Sequence, residues 1–341
     1  MRIEQFMKLK IVLAAVSVAV FSMGPALGQD TCKHRGQLDT MYCDENNDLV
    51  ADVPTDAAKL RDPSTLVFAY SPVEDPATYQ RIFKPFTDYL AKCTGKRVVY
   101  SPVQSNSAEI EAMRSGRLHV AGLSTGPTAF AVNFAGAVPF AAKGTAEQIR
   151  GYHLISVVKK ESPYQGLADL KGKRVAHTAP TSNSGHLAPL VLYPPEGLKP
   201  NDDYKPLMSG GHDKSVLGVA SGDYDMAGVA SDVFDRMVAR GMIKRDDFRI
   251  IYQSPIFPTS SFAYAHDLKP ELATKIASCF FAFRFTPEMT REFSGDDRFV
   301  PIRYQRDWAV VRDVAEKSGA PYNRNAYDAL ARRETEAAAK K

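Results

Sequence analysis

The sequence predicts an α/β protein of two similar lobes, joined by two crossings of the chain, with a ligand cleft between them. Three observations carry this. The stretch Ser115-Gly116-Arg117-Leu118-His119-Val120-Ala121-Gly122-Leu123-Ser124 returns, altered, as Ser221-Gly222-Asp223-Tyr224-Asp225-Met226-Ala227-Gly228-Val229-Ala230, so position 115 maps onto 221 at an offset of 106 residues. In both copies an apolar-periodic run (110–113; 216–220) reaches a Gly suited to the left-handed end of a helix, and a short buried strand follows. A period near one hundred residues is too long for a solenoid, whose units run about 20–50 residues, and strands alternate with helices along the rest of the chain, the pattern of α/β lobes.

In order along the chain, Arg2, Lys8 and Lys10 precede the apolar run 11–23, and Ala26-Leu27-Gly28 stands ahead of Gln29. This spells a secretory signal peptide, residues 1–28. The run is shorter than the roughly 20 apolar residues of a membrane span, no Cys follows directly as a lipid anchor requires, and no second long apolar stretch appears, so no stable membrane insertion is expected. Without that segment, 40 basic and 38 acidic residues remain, a balance that argues against nucleic acid as a partner.

Residues 29–62 are polar and read as an extension before the globular body. Within it, Asp44, Asn46, Asp48 and Asp52 fall at positions 1, 3, 5 and 9 of a loop that resembles short calcium repeats; Leu49 where Gly is usual and Thr55 where Glu is usual leave a plain acidic surface loop as the alternative. Cys32, Cys43, Cys93 and Cys279 all follow the cleavage point, in an oxidising compartment. Four cysteines allow three pairings. Cys32 and Cys43 flank a loop-like stretch, which favours 32–43 with 93–279, the alternative for the second pair being two buried free thiols.

The body opens with a strand at Thr65–Tyr70. Ile82, Phe83, Phe86 and Leu90 share one face of a helix over 79–90, and the next strand is Arg97–Tyr100. This succession implies a largely parallel sheet. Leu154–Lys159 is a further strand, Gly172–His177 starts a second unit of the same kind, and after about residue 252 the strand 261–264 and a helix over 270–283 return to the first lobe. The expected division is 63–154 plus 254–341 for the first lobe, with the C-terminal helices, and 155–253 for the second.

The strongest local chemistry is Thr181-Ser182-Asn183-Ser184-Gly185-His186-Leu187, small hydroxyl residues between a strand and an apolar run. At a helix start such residues leave backbone N–H groups and a positive dipole end free for an anion. A single capping Ser would serve an ordinary N-cap; two serines, an Asn and a Gly supply more than a cap needs.

Together with Leu167–Ala176, with Gly210-Gly211-His212 ahead of the Ser221-Gly222 unit, and with Phe299-Val300-Pro301-Ile302-x-Tyr304-x-x-x-Trp308-x-x-Val311-Arg312, this turn resembles the phosphate, phosphite and phosphonate substrate-binding proteins of ABC importers, over roughly 65–319. The resemblance implies a two-lobed periplasmic binding protein of type II, transferrin-like topology, with Ser182, Ser184 and His212 on the anion and Asn183 in the place of the usual Thr. Asp232 matches one of two acids that hold the ligand amine in aminophosphonate-binding relatives, while the second position holds Ser260, which makes an aminoalkyl ligand less favoured. For His212 the alternative is a turn-capping histidine, and for Asp232 the N-cap of a helix over 233–240. Ligands of open α/β sheets sit outside the carboxyl ends of strands, which adds Tyr70, Ser124 and Thr125 from the first lobe, with Tyr70 as a core residue the alternative.

Ser156-Val157-Val158-Lys159 spells Ser-x-x-Lys, but in a strand those ends point to opposite faces, and the common hydrolase, P-loop and dinucleotide signatures do not occur. The expectation is therefore a monomeric, non-enzymatic periplasmic protein that needs no cofactor, apart from candidate calcium at the N-terminal loop. It would close on a small oxyanion and deliver it to an ABC transporter permease. The alternatives are a secreted phosphoesterase-like enzyme with His186 or His212 as base to Ser184, and a ligand-sensing subunit of a membrane receptor.

Overall fold

The computed structural model describes residues 32–319 and 321–339; the signal peptide expected at 1–28 lies outside them. Strands β1 (Thr65–Tyr70), β2 (Arg97–Tyr100), β3 (Val120–Leu123) and β4 (Ala137–Gly144) are followed by β5 (Gly151–Lys159), β6 (Val175–His177), β7 (Leu207–Met208), β8 (Met226–Ala230) and β9 (Phe248–Pro258), then by β10 (Ser261–Ala265) and β11 (Arg298–Pro301). They form two sheets, six strands ordered β11-β4-β10-β3-β1-β2 and five ordered β7-β6-β8-β5-β9. Helices α1 (Pro76–Thr94), α2 (Asn106–Arg114) and α3 (Thr125–Ala135) belong to the first lobe, and α4 (Ala188–Leu192), α5 (His212–Ser221) and α6 (Ser231–Ala239) to the second. The chain ends with α7 (Pro270–Ala282), α8 (Pro287–Glu292), α9 (Tyr304–Asp307), α10 (Ala309–Lys317) and α11 (Arg324–Ala339).

The duplicated unit is α2–β3–α3 and α5–β8–α6. Gly116 and Gly222 sit at φ 75° and 92°, the left-handed conformation that lets each first helix stop and the chain turn into its strand at little cost for a residue without Cβ. Sequence periodicity suggests a largely parallel sheet, but each sheet is mixed. β1, β2 and β3 are parallel, while β10 runs antiparallel between β3 and β4; β6, β7 and β8 are parallel, while β5 runs antiparallel to β8 and β9 to β5. The reason lies in the crossings: β5 and β10 each arrive from the other sheet without a crossover helix, and a parallel partner would need one. The crossings lie between Gly144 and Gly151 and between Pro258 and Ser261, outside the long β5–β9 pair.

The first lobe's core is aromatic. Phe68 meets Phe83 edge-on at 5.3 Å, Phe86 meets Phe280 at 4.6 Å, and Phe262 meets Phe299 at 4.7 Å, contacts worth about 0.5–1.5 kcal/mol each beyond area burial. The disulfide Cys93–Cys279 ties the end of α1 to α7, and Cys32–Cys43 closes the N-terminal loop. Residues 32–62, read as an extension, are docked: Leu38, Tyr42 and Ala51 are buried, and the Asp39 N–H donates to the Asn133 carbonyl at 2.8 Å.

Candidate functional site

The cavity between the lobes is built by helix starts. Ser105 caps α2, Ser124 precedes α3, Gly211 precedes α5 and Ala230 precedes α6; Asn106, Ser124, Thr125, Gly211, His212, Ala230 and Asp232 all line the cavity. Four positive dipole ends therefore converge on one space, a general recipe for anion binding. The repeat offset also relates residues here: His212 and Asn106, the first residues of α5 and α2, occupy matching positions. The serine turn adds one turn of π-helix, Asn183–Leu187. The volume open to the centre of a water-sized sphere is about 50 Å³, against about 10–15 Å³ for one water by that measure, so the space suits a ligand of a few heavy atoms.

All eight residues singled out from the sequence, Tyr70, Ser124, Thr125, Ser182, Asn183, Ser184, His212 and Asp232, line this one cavity. Ser182 Oγ accepts the Gly185 N–H at 3.1 Å, which leaves the hydroxyl proton for another acceptor. His212 Nδ1 accepts the Ala230 N–H at 3.1 Å; the ring proton is thus on Nε2. Burial pushes this imidazole down to about 4, so it is a neutral donor at ordinary pH. Thr125 differs, since its hydroxyl donates to the Pro258 carbonyl at 3.0 Å while Trp308 Nε1 donates to its carbonyl at 2.9 Å. That places Trp308 as the residue that seats the start of α3.

Asp232 is not the cap of α6, whose N-cap is Ala230. Its carboxylate accepts from Arg236 at 2.9 Å, one turn on. Burial would raise this carboxyl, but the Arg236 guanidinium outweighs burial and holds it below the usual carboxylate range. Arg236 also reaches Glu74 at 2.8 Å, and Arg240 bridges Glu74 and Glu292, each at 2.5 Å. Glu74 and Glu292 belong to the first lobe, Arg236 to α6 and Arg240 to the C-terminal cap of α6, so the pairs span the cleft. Ser260 shares a hydrogen bond with Tyr70 Oη at 2.9 Å, and Lys143 Nζ donates to the same phenol at 2.7 Å.

Sequence reasoning missed Asn106, Tyr152, Thr178 and Arg236, which also line the cavity. The repeat offset could have found Asn106 from His212. Nothing local marks Tyr152, which lies in β5 beside the crossing and whose hydroxyl accepts from Asn183 Nδ2 at 3.1 Å. Of the two histidines named as candidate bases, His186 turns away: its Nδ1 faces Nδ1 of His177 at 2.8 Å. In the N-terminal loop, Asp44 accepts the N–H groups of Asp48 and Leu49, Asn46 that of Asp48, Asp48 that of Val50 and Asp52 that of Glu45. Among the described residues no cluster of three or more His, Cys, Asp or Glu could hold a metal ion.

Residues 68–308 match the family model of the ABC transporter phosphonate periplasmic substrate-binding proteins. The chain is 29% identical over 265 residues to the phosphate-import protein PhnD of Mycolicibacterium smegmatis, covering 73% of this chain and 81% of that one. It is 25% identical over 249 residues to the phosphonates-binding periplasmic protein of Escherichia coli, covering 69% and 74%. Among solved structures, PhnD1 of Prochlorococcus marinus in complex with methylphosphonate superposes with a TM-score of 0.68 at 17% identity, covering 76% of this chain and 99% of that one. A binding component of an ABC phosphonate transporter from Pseudomonas aeruginosa gives 0.67 at 20%, covering 82% and 99%. With the family model spanning most of the chain and the fold shared, this protein belongs to the periplasmic substrate-binding proteins of phosphonate ABC transporters.

Proposed function

We propose that this protein captures a small phosphorus oxyanion, a phosphonate, phosphite or phosphate, between its lobes in the periplasm and presents it as a monomer to an ABC transporter permease. The observation that carries the reading is the cavity itself. It is a compact space onto which four helix starts and the Ser182-Asn183-Ser184 turn converge, with His212 held as an Nε2–H donor. Ser182, Ser184 and His212 hold the oxyanion from the second lobe, whose sheet runs from Gly151 to Pro258; Tyr70, Ser124 and Thr125 close from the first, the Thr125 hydroxyl, its proton given to Pro258, accepting from a protonated ligand oxygen. Asn183 and Asp232 complete the wall, and Asp232, already paired with Arg236, does not recruit an amine. The M. smegmatis and E. coli relatives, named for phosphate import and phosphonate binding, support this ligand class.

The chain acts as a binding protein rather than an enzyme. Neither His186, turned to His177, nor His212, whose basic nitrogen already accepts an amide, is placed as a base for Ser184. No helix among the described residues is long and apolar enough to cross a membrane, which suits export behind a cleaved signal peptide at 1–28. Calcium at residues 44–52 is a separable element of the proposal; the loop's carboxylates already cap its own amides, so we expect it to hold its shape without the ion. A thermal-shift screen of phosphate, phosphite, methylphosphonate, 2-aminoethylphosphonate and sulfate, with calcium as a separate arm, tests the reading. A hundredfold excess over the dissociation constant should add about 2.7 kcal/mol of stability. No stabilisation by any phosphorus oxyanion would refute it.

A further inference from the structure

We propose that the cavity selects an oxyanion that still carries a proton on one oxygen, the hydrogen-phosphonate or hydrogen-phosphate form of a dibasic acid, and that Asn106 and Asn183 enforce this choice. The inference rests on the reading that the cavity takes a phosphorus oxyanion, and it adds which protonation state is bound and why.

The guanidinium in the cavity wall brings no unbalanced charge, because Arg236 is met by Glu74 and Asp232, and Arg240 by Glu74 and Glu292. Neutral donors must therefore hold the anion, and Ser182, Ser184 and His212 Nε2–H supply them. The same wall also carries acceptors. Asn106 Oδ1, Asn183 Oδ1 and Thr178 Oγ1 are buried without a hydrogen-bond partner, and all three residues line the cavity. A Thr hydroxyl can turn to donate, but an amide oxygen can only accept.

The orientation of Asn106 is imposed from outside the cavity. Thr181 donates its hydroxyl proton to Glu334 of α11, so Thr181 Oγ1 can only accept from Asn106 Nδ2, at 2.9 Å. Glu334 is itself fixed by the Ser107 N–H and hydroxyl, at 3.0 and 2.7 Å. The Asn183 amide is held by its Nδ2 on Tyr152 Oη. The contact to Thr181 thereby leaves Asn106 Oδ1 without a protein donor, and Asn183 Oδ1 has none either. Set against a fully ionised oxyanion, lone pair would meet lone pair at both amides; a P–O–H group supplies one donor, which meets one of the two. A buried acceptor left unmet costs roughly five- to 150-fold in affinity.

The titratable and charged groups facing this space are His212, Asp232, Arg236, Tyr70 and Tyr152, with Lys143 behind Tyr70 and Glu334 behind Thr181. Burial holds the His212 imidazole down at about 4, so it is neutral from pH 6 to 9; Asp232 is held below its ordinary range by Arg236, and burial holds Tyr152 above its own. Ligand titration is separated from protein titration by using ligands of different acidity.

Calorimetry from pH 6 to 9 with methylphosphonate, phosphite, phosphate, sulfate and methanesulfonate tests the proposal. Sulfate and methanesulfonate, which carry no proton in this range, should bind at least about a hundredfold more weakly than the phosphorus acids. Each phosphorus acid should lose about tenfold in affinity per pH unit above its own second ionisation, as the bound form is depleted, so the midpoint moves from ligand to ligand. Sulfate within tenfold of methylphosphonate, no fall with pH, or one midpoint common to all ligands would overturn it. Asn183→Thr exchanges an acceptor for a hydroxyl that can donate, and should shrink the phosphonate-to-sulfate ratio about tenfold; an unchanged ratio removes Asn183 from the proposal. If no phosphorus acid binds at any pH, the functional reading itself has failed, a result distinct from pH-independent binding.

Discussion

Gly126 offers the sharpest separation between folding and closure. It is the second residue of α3, and a Cβ built there would lie 2.4 Å from the Thr181 carbonyl oxygen and 3.1 Å from the Asn183 nitrogen. Both are backbone atoms of the other lobe, so neither can swing aside as a side-chain tip would. Its φ is not in the left-handed region, and Ala is a better helix former than Gly by about 1 kcal/mol. A protein that closes on its ligand holds its lobes apart without it, so Gly126→Ala should leave the ligand-free protein as stable as before, or slightly more so, while the closed form, in which this contact is made, carries an overpacking cost of about 1–3 kcal/mol. At 1.4 kcal/mol per tenfold, that is about a five- to 150-fold loss of affinity for methylphosphonate. Calorimetry gives the affinity, a melting curve the stability, and small-angle scattering the failure of the lobes to approach on ligand addition. A variant of unchanged melting temperature that binds as tightly as the parent would show that ligand binding does not bring α3 against the serine turn.

Replacing Ser182 and Ser184 together by Ala removes two hydrogen bonds to a charged ligand, at about 1.5–3 kcal/mol each, and should lower affinity a hundredfold or more in calorimetry while the protein still melts cooperatively. Burial pushes the Glu109 carboxyl up to about 8, against only one hydrogen bond, from Ser71 at 2.6 Å. A carboxyl raised in the folded state contributes stability below its unfolded value near 4.5 that is lost as pH rises through 8; Glu109→Gln should flatten this decline and stabilise the protein at pH 8 by a few kcal/mol, read from urea unfolding at several pH values. Cys93 and Cys279 are 186 residues apart, and in the chain-entropy account a cross-link of that span is worth up to about 5 kcal/mol. Non-reducing peptide mapping should recover the pairs 32–43 and 93–279, and Cys93→Ser with Cys279→Ser should lower the melting temperature without moving the affinity.

Much of the architecture was legible because it is written in local pattern. Gly116 and Gly222 mark the same turn twice, and the helix 79–90 announces its buried face through Ile82, Phe83, Phe86 and Leu90. Strand direction was not legible: the alternation in β5 or β10 is the same whether the strand runs with its neighbours or against them, and only the crossings impose the antiparallel sense. Leu38, Tyr42 and Ala51 were hidden as isolated apolar residues in a polar stretch with no period to reveal that they dock. At the cavity, residues clustered in sequence were visible, as in the serine turn, whereas Glu74, Arg236 and Glu334 act through partners at sequence separations of 162 for Arg236–Glu74 and 227 for Ser107–Glu334. Lone charged residues of this kind look like solvated surface until the fold assembles them. Asp232 shows the limit most clearly, since matched position aligns it with one of the two acids that hold the amine in aminophosphonate-binding relatives, while the structure pairs it with Arg236.

A crystal structure of the protein grown with methylphosphonate decides whether the anion sits where the helix starts and the serine turn converge. One ligand is expected between the lobes, its oxygens within hydrogen-bond distance of Ser182 Oγ, Ser184 Oγ and His212 Nε2, and one of them also within reach of Asn106 or Asn183 Oδ1. A ligand bound elsewhere, or held by Asp232 and Arg236 after their ion pair has opened, would contradict it.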